Sequence, residues 1–268
     1  EGYVFVLYGD TPLITSKTIS ECICLHKKNG NAVTVVTADF EDPTGYGRII
    51  RDEHGNVIKI VEQRDASEEE KKVKEINSGL YCFTISCLLE SLKKLTNNND
   101  QGEYYLTDTV GILIKEGFKV GAVKLADFTE ILGINDRVQL HQASEHIRKR
   151  ILEEHMKSGV TIIDPASTYI DEGVKIGIDT VVYPGTIIEG NTVIGEDCII
   201  GPNSRLINAN VGNGTEVNSS IIINSTVGDS AHIGPFAYIR PESVIGNKVK
   251  IGDFVEIKKS VVGDKTKI

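Results

Sequence analysis

Apolar positions follow two different rules along this chain. Up to about residue 135, short apolar runs alternate with stretches of helical spacing. The run from Tyr3 to Tyr8, ending in Gly9-Asp10, has the β-branched and aromatic character of a buried parallel strand. A helix is expected from about Ser16 to Lys28, with Ser16 or Thr18 as its N-cap. The next strand is expected at Ala32–Thr37, followed by a pair at Gly47–Arg51 and Val57–Glu62 around the His54-Gly55 turn. Gly79–Thr84 and Val120–Leu125 read as further strands, and Ile85–Leu95 and Glu103–Glu116 as helices, the second preceded by an Asn97-Asn98-Asn99 turn. Such alternation indicates a layered α/β domain over residues 1–135. Residues 136–159 read as a linker helix closed by Gly159. Leu140, Ala143, Ile147 and Ile151 give it one apolar stripe, and His141, His146 and His155 are expected on its solvated face.

From residue 160 the rule changes. Aliphatic residues recur at every sixth position: Ile170, Ile176, Val182, Ile188, Ile194, Ile200 and Leu206. The register slips by one to Val211 and Val217, then resumes with Val227, Ile233, Ile239, Ile245, Ile251 and Ile257. Glycine directly follows many of these anchors, among them Gly177, Gly195, Gly201, Gly212, Gly228, Gly234 and Gly246. A six-residue period fits neither a helix nor a flat strand; it indicates a left-handed parallel β-helix of hexapeptide repeats over 160–268. Each short strand turns one aliphatic side chain inward, and the glycine is expected to supply a turn with positive φ. Three such steps close a triangular coil. Burying one anchor is worth roughly 1.5–3 kcal/mol, but a single coil cannot cover its own two faces, so stability has to come from stacking.

Composition narrows the function classes. With 25% charged and 40% apolar residues in a chain of 268, general disorder is excluded. The longest apolar runs fall well short of a membrane span, and the N-terminus, Glu1-Gly2-Tyr3, lacks the basic region of a signal peptide. A net charge of −9 is a poor match for nucleic acid. The five cysteines (Cys22, Cys24, Cys82, Cys87, Cys198) show no metal-like pairing, and Cys22 and Cys24 read as small buried or half-buried helix residues. A reducing cytoplasm is the simplest setting.

Several residues could carry chemistry. Asp10 follows a strand at the place where open α/β sheets bind ligands, although a cap or turn former would use the same residue. In Asp42-Pro43-Thr44-Gly45-Tyr46-Gly47-Arg48, two glycines flank an aromatic and let the backbone approach a ligand, and Arg48 could answer a phosphate; a tight turn reads the same way. Glu62 and Asn77, at strand edges, suit hydrogen bonds to sugar hydroxyls or a plain polar surface. Asn135 fits a ligand role or the N-cap of the linker helix. His232 reads as a structural histidine in a repeat turn.

In order, LYGDTPLI, DPTGYGRI, IVEQRDA, EINSGLY, LTNNNDQGEYYLTD and GINDRVQL, then IGPFAYIRP and IGDFVEIKKS, resemble one family along the whole chain. It is the bacterial bifunctional N-acetylglucosamine-1-phosphate uridyltransferase and glucosamine-1-phosphate acetyltransferase. The resemblance implies a Rossmann-like nucleotidyltransferase domain, the linker helix and a β-helix acetyltransferase domain. It implies acetyl transfer from acetyl-CoA to glucosamine 1-phosphate, then Mg²⁺-dependent uridyl transfer from UTP to N-acetylglucosamine 1-phosphate. Tyr8, Gly9 and Asp10 are similar to the family's nucleotide-side contacts, with Asp10 a Mg²⁺ ligand and Asn135 similar to the second protein ligand. Gly47, Glu62 and Asn77 match the positions that hold the N-acetylglucosamine moiety, and Arg240 and Lys258 match those that bind the sugar phosphate at the acetyl site. A homotrimer through the β-helix, with neighbouring chains sharing the acetyl site, follows from the same resemblance.

The residue types suit that chemistry. Both uridyl-transfer reactants are anions, so the protein chiefly positions them and neutralises charge. Mg²⁺ is hard, prefers oxygen and keeps several waters, so one carboxylate and one amide oxygen suffice. Two features of the family are missing. Its glycine-rich nucleotide loop and the lysine after it have no counterpart, and its acetyl-transfer histidine, counted onward from Lys258, falls past Ile268. The chain is therefore expected to be a middle section of the bifunctional enzyme, and neither reaction is expected of it alone. Two rivals are another sugar-1-phosphate nucleotidyltransferase with a β-helix tail, such as a glucose-1-phosphate adenylyltransferase, and a non-catalytic β-helix assembly subunit of a translation-initiation exchange factor.

Overall fold

The computed structural model describes residues 2–97 and 102–268; Asn98 and Asn99 of the expected asparagine turn lie outside the described residues. Contacts divide the chain into two compact units, Glu1–Ala143 and Ser144–Ile268.

The first unit is built on one mixed sheet. Its strands are β1 (Tyr3–Val6), β2 (Val33–Asp39), β3 (Arg48–Arg51), β4 (Val57–Val61), β5 (Glu75–Thr84) and β6 (Val120–Lys124). They run in the order β4-β3-β5-β2-β6, with β1 also beside β5. Successive side chains of a strand point to opposite faces, and β2 and β5 fill both. Val33, Val35, Tyr81 and Phe83 enter one apolar cluster, while Val36, Ala38, Ile76, Leu80 and Cys82 enter the other. The helices α1 (Ser16–Asn29), α2 (Ile85–Leu92) and α3 (Leu106–Lys115) agree with the expected ones to within a few residues.

Three local expectations are corrected. The run from Tyr3 is not a buried parallel strand: β1 lies antiparallel to β5, half-buried, and the parallel pair is β2 with β6. Its place along the last residues of β5 leaves Tyr3 exposed, edge-on to the His26 ring. The N-cap of α1 is Thr15, whose side chain accepts the Thr18 N–H, rather than Ser16 or Thr18. Cys24 is exposed on α1, whereas Cys22 is buried.

The long helix α4 (Arg137–Lys157) begins in the first unit and ends in the second. Gly159 follows it with φ +99°. Ala143 is buried and Ile151 packs on the second core, but Leu140 is 51% exposed, so the apolar stripe is covered only in part. His146 and His155 are half-buried rather than solvated, and burial lowers the pKa of His155.

In the second unit, the described residues form three six-stranded parallel sheets, each coil giving one short strand to each sheet. Val181–Val182, for example, pairs with Thr161–Ile162 before it and Ile199–Ile200 after it. The anchors stack into one continuous core. The periodicity had passed over Ile222, which is fully buried and in register with Leu206 and Ile239. A second inward position lies two residues before each anchor and takes small side chains such as Thr180, Thr192, Cys198, Ala209, Thr215 and Ala231, all buried. Their hydroxyls serve the backbone: Thr180 Oγ1 donates to Gly195 O at 2.8 Å and accepts the Cys198 N–H at 3.1 Å.

The glycine expectation also needs correction. Gly177, Gly195, Gly212, Gly228, Gly246 and Gly252 do not adopt positive φ; of the glycines that follow anchors, Gly201 and Gly234 do, and many left-handed corners are Asn, Asp, Lys or Phe. Clearance is the reason for the others. A Cβ on Gly195 would stand 2.3 Å from Asn213 Oδ1 and 2.8 Å from Asn213 N in the following coil. That space belongs to a ladder of side-chain carbonyls. Asn213 Oδ1 accepts the Glu196 N–H, Asp229 Oδ1 the Asn213 N–H, Asn247 Oδ1 the Asp229 N–H, and Asp264 Oδ1 the Asn247 N–H, at 2.9, 2.8, 2.8 and 2.8 Å.

Candidate active site

Two loops of the first unit bring an acid and an amide together. After β1 the chain turns at Tyr8, whose carbonyl accepts from Thr11 Oγ1 at 3.0 Å, and this places Asp10 beside the segment that precedes α4. The Asp10 carbonyl accepts the Ile134 N–H at 2.8 Å. Gly133 leaves an open space there: a Cβ on it would lie 3.6 Å from Asp10 Oδ2 and 4.0 Å from Asn135 Nδ2. Both side-chain ends therefore reach the same point. Capping of α4 falls to Asp136, whose Oδ1 accepts the Gln139 N–H at 2.8 Å, while Gln139 Oε1 accepts the Asn135 N–H at 2.6 Å. The N-cap alternative for the Asn135 side chain is thus filled by its neighbour.

Gly47, just before β3, Glu62, just after β4, and Asn77 on β5 form a second group. Gly47 O accepts the Asn77 N–H at 2.8 Å. The bare Cα of Gly47 admits the Glu62 carboxylate; a Cβ there would be 3.2 and 3.3 Å from its two oxygens. Tyr8 touches this group: its ring lies over Gly79, which has φ +78° and whose Cβ would be 2.2 Å from Tyr8 Cε2. Gly9 is exposed, with open space where its Cβ would be.

Charge binds the two groups as well. Burial, and then the carboxylates of Asp10 and Glu62, raise the Tyr8 pKa. Burial, then Asp108 and Asp65, raise that of Glu62. Glu62, Asp65, Thr107 and Asp108 share the wall of a cavity of about 470 Å³.

Arg48 is not available to a phosphate. It is 1% exposed, with Nη2 donating to Gln63 Oε1 at 2.6 Å and Nη1 donating to Tyr46 O. It faces inward from β3 and holds the loop that carries Gly47. Residues that the sequence reading passed over are Gly79, Gly133 and Tyr81, which frame the predicted ones; the glycines inside EINSGLY and GINDRVQL were the available signal.

The acid–amide pair fits Mg²⁺ by its donor set once the Asn135 amide is flipped: a carboxylate oxygen and an amide oxygen, both of a hard cation's preferred kind, where Gly133 leaves room. Asparagine O and N ends are interchangeable by a flip of the amide. Among the described residues no group of three or more His, Cys, Asp or Glu could hold a metal, and no helix is long and apolar enough to cross a membrane.

In the second unit, Arg240 N donates to Ile257 O at 2.8 Å, which sets Arg240 and Lys258 at matching places on adjacent coils. Arg240 Nη1 donates to Glu256 Oε1 at 2.6 Å, and its guanidinium lies 5.9 Å from the Tyr238 ring centre. Lys258 is exposed. His232 is on a strand, not in a turn, and its Nδ1 is 3.1 Å from Glu216 Oε2.

Residues 1–153 match the family described as Nucleotidyl transferase, and residues 159–268 match one described as GMPPB C-terminal domain. The chain is 66% identical over its whole length to Bifunctional protein GlmU of Acetivibrio thermocellus and 55% identical to the protein of that name from Pelotomaculum thermopropionicum. It spans 58% of the length of each of these relatives. Among solved structures, the acetyltransferase domain of PglB from Neisseria gonorrhoeae FA1090, in complex with acetyl coenzyme A, matches with a TM-score of 0.39 and 15% identity. That match covers 56% of this chain and 67% of the other.

Proposed function

The chain belongs to the nucleotidyl transferase family, and from that premise we propose that its first unit forms part of a site that, in the full-length protein, transfers a uridyl group from UTP to N-acetylglucosamine 1-phosphate, releasing pyrophosphate. The second unit supplies the sugar-phosphate side of an acetyl-transfer site acting on glucosamine 1-phosphate and acetyl-CoA, in a cytoplasmic homotrimer joined through the β-helix. The functional boundaries are 1–135 for the transfer domain, 136–159 for the linker helix and 160–268 for the coil.

The observation that carries this reading is the meeting of Asp10 and Asn135 at Gly133, beside the group formed by Tyr8, Gly47, Glu62 and Asn77. Mg²⁺ held by Asp10 and Asn135 would, when bound, neutralise and polarise the phosphoryl oxygens. The chain's own residues do the rest by placement. Gly9 opens the main chain to the nucleotide, and Tyr8, seated on Gly79, separates the nucleotide side from the sugar side. The Glu62 carboxylate accepts hydrogen bonds from sugar hydroxyls, and Asn77 offers an amide donor. A net charge of −9 is no obstacle, because the field that matters is local. In the coil, Arg240 exchanges its Glu256 contact for the sugar phosphate, and Lys258 adds a second cation by charge-assisted bonding.

The test uses the full-length protein. Asp10→Ala should lower uridyl transfer by about a hundredfold or more and leave acetyl transfer unchanged. Equal loss of both activities, retention of uridyl transfer, or a preference for ATP over UTP in the parent protein would sink the reading.

A further inference from the structure

Asn77 is held by a chain of hydrogen bonds that runs through Tyr81 to Thr107. The Gly79 N–H can only donate, so the Asn77 atom 3.1 Å from it is the carbonyl oxygen. The amide nitrogen therefore faces Tyr81 and donates to its hydroxyl at 2.8 Å. The hydroxyl lies 3.2 Å from Thr107 Oγ1 and 3.1 Å from Asn77 Oδ1, the two acceptors within its reach. Tyr81 is fully buried, and burial pushes its pKa up to about 12, so it stays a neutral hydroxyl at physiological pH.

An asparagine amide nitrogen carries two hydrogens. Tyr81 takes one, and in the uridyl-transfer reading the other serves the sugar. Glu62, placed beside Gly47 on the same group, is an acceptor. On that reading the site offers one donor and one acceptor, which suits a carbonyl oxygen next to a hydroxyl, as on a 2-acetamido sugar. Rotating the amide by half a turn would set its nitrogen against the Gly79 N–H, donor to donor, so Gly79 decides which end faces which way, while Tyr81, within reach of both ends, holds the amide in place.

We propose that Tyr81, backed by Thr107, is a positioning residue that fixes the Asn77 amide and so sets the preference for a 2-acetamido sugar phosphate. This rests on the uridyl-transfer reading of the site. Tyr81 touches no substrate; it acts through Asn77.

The experiment is steady-state uridyl transfer by the full-length protein with UTP and N-acetylglucosamine 1-phosphate. Tyr81→Phe should raise the KM for the sugar phosphate about tenfold, the effect of losing roughly 1.4 kcal/mol of binding, with kcat within twofold and the KM for UTP unchanged. Thr107→Val should shift the same KM in the same direction by a smaller factor, and Thr107→Ser should restore it. In an Asn77→Ala background, Tyr81→Phe should add no further change. An unchanged sugar KM in both Tyr81→Phe and Thr107→Val overturns the proposal, as does an undiminished Tyr81→Phe effect in the Asn77→Ala background. If Tyr81→Phe does not fold, the Thr107 pair decides. If Asn77→Ala itself leaves the sugar KM unchanged, the sugar-site reading fails first, and the two failures are thereby told apart.

Discussion

Alanine at three coil glycines separates clearance from backbone conformation. Gly195 has ordinary φ, but its Cβ would enter the Asn213 side chain and backbone at 2.3 to 2.9 Å. Gly214 is the converse, with φ +62° and its nearest neighbour, Ser230 Oγ, at 3.7 Å. Gly263 has neither constraint. Overpacking at Gly195 costs about 1–3 kcal/mol. Displacing Asn213 also takes the acceptor from the Glu196 N–H, for about 1 kcal/mol more. Gly195→Ala should therefore destabilise the coil by about 3 kcal/mol. Gly214→Ala should cost about 1 kcal/mol for its left-handed backbone, and Gly263→Ala should stay within about 0.5 kcal/mol of the parent. Thermal unfolding followed by far-UV circular dichroism reads the series, with about 2–4 °C expected per kcal/mol. A loss at Gly195 no greater than that at Gly214 would show that the corners need glycine for its φ, and the clearance argument would be wrong.

Two further outcomes follow from other parts of the molecule. Arg240→Ala should raise the KM for glucosamine 1-phosphate about tenfold or more, the usual worth of a hydrogen bond to a charged group, with uridyl transfer unchanged; an unaltered KM removes Arg240 from that site. His26 is buried between the hydroxyls of Thr34 and Thr84, and burial lowers its pKa below the ordinary 6.5. The unfolded chain binds this proton first, so the contribution is complete above the ordinary pKa and is lost as pH falls through it toward the lowered folded value. His26→Gln should flatten the loss of stability between about pH 7 and 5, and an unchanged slope in urea titrations would refute the assignment.

The coil was legible because its period is imposed by geometry: one buried aliphatic side chain per strand leaves a mark at every step. Ile222 escaped because the steps from Val217 and on to Val227 each have five residues, absorbed at corners that a six-residue count does not anticipate. The reason for the glycines was also out of reach, since it lies in the next coil and not in the local backbone. In the first unit, the helices and most strands showed their spacing, but an apolar run such as Tyr3–Val6 cannot announce its direction, which its register with Phe83 and Tyr81 decides. Among site residues, Asp10, Glu62 and Asn77 stood in motifs. Arg48 did too, yet its guanidinium turned out to hold the protein's own loop, because a motif names a residue type without saying which way it faces. Tyr81 closes EINSGLY, but the motif does not reveal that its hydroxyl meets Asn77 and Thr107 across the fold.

The carbonyl ladder gives the coil a direction in time. Along this ladder, from Glu196 onward, the N–H groups are satisfied by residues 17, 16, 18 and 17 positions later in the chain. As the polypeptide leaves the ribosome at about 5–20 residues per second, each corner waits on the order of one to three seconds for its acceptor. Growth therefore proceeds with a lag of one layer, and the newest layer is always the loosest. A holdase that recognises unfinished layers would meet this protein at its growing tip, never at its base.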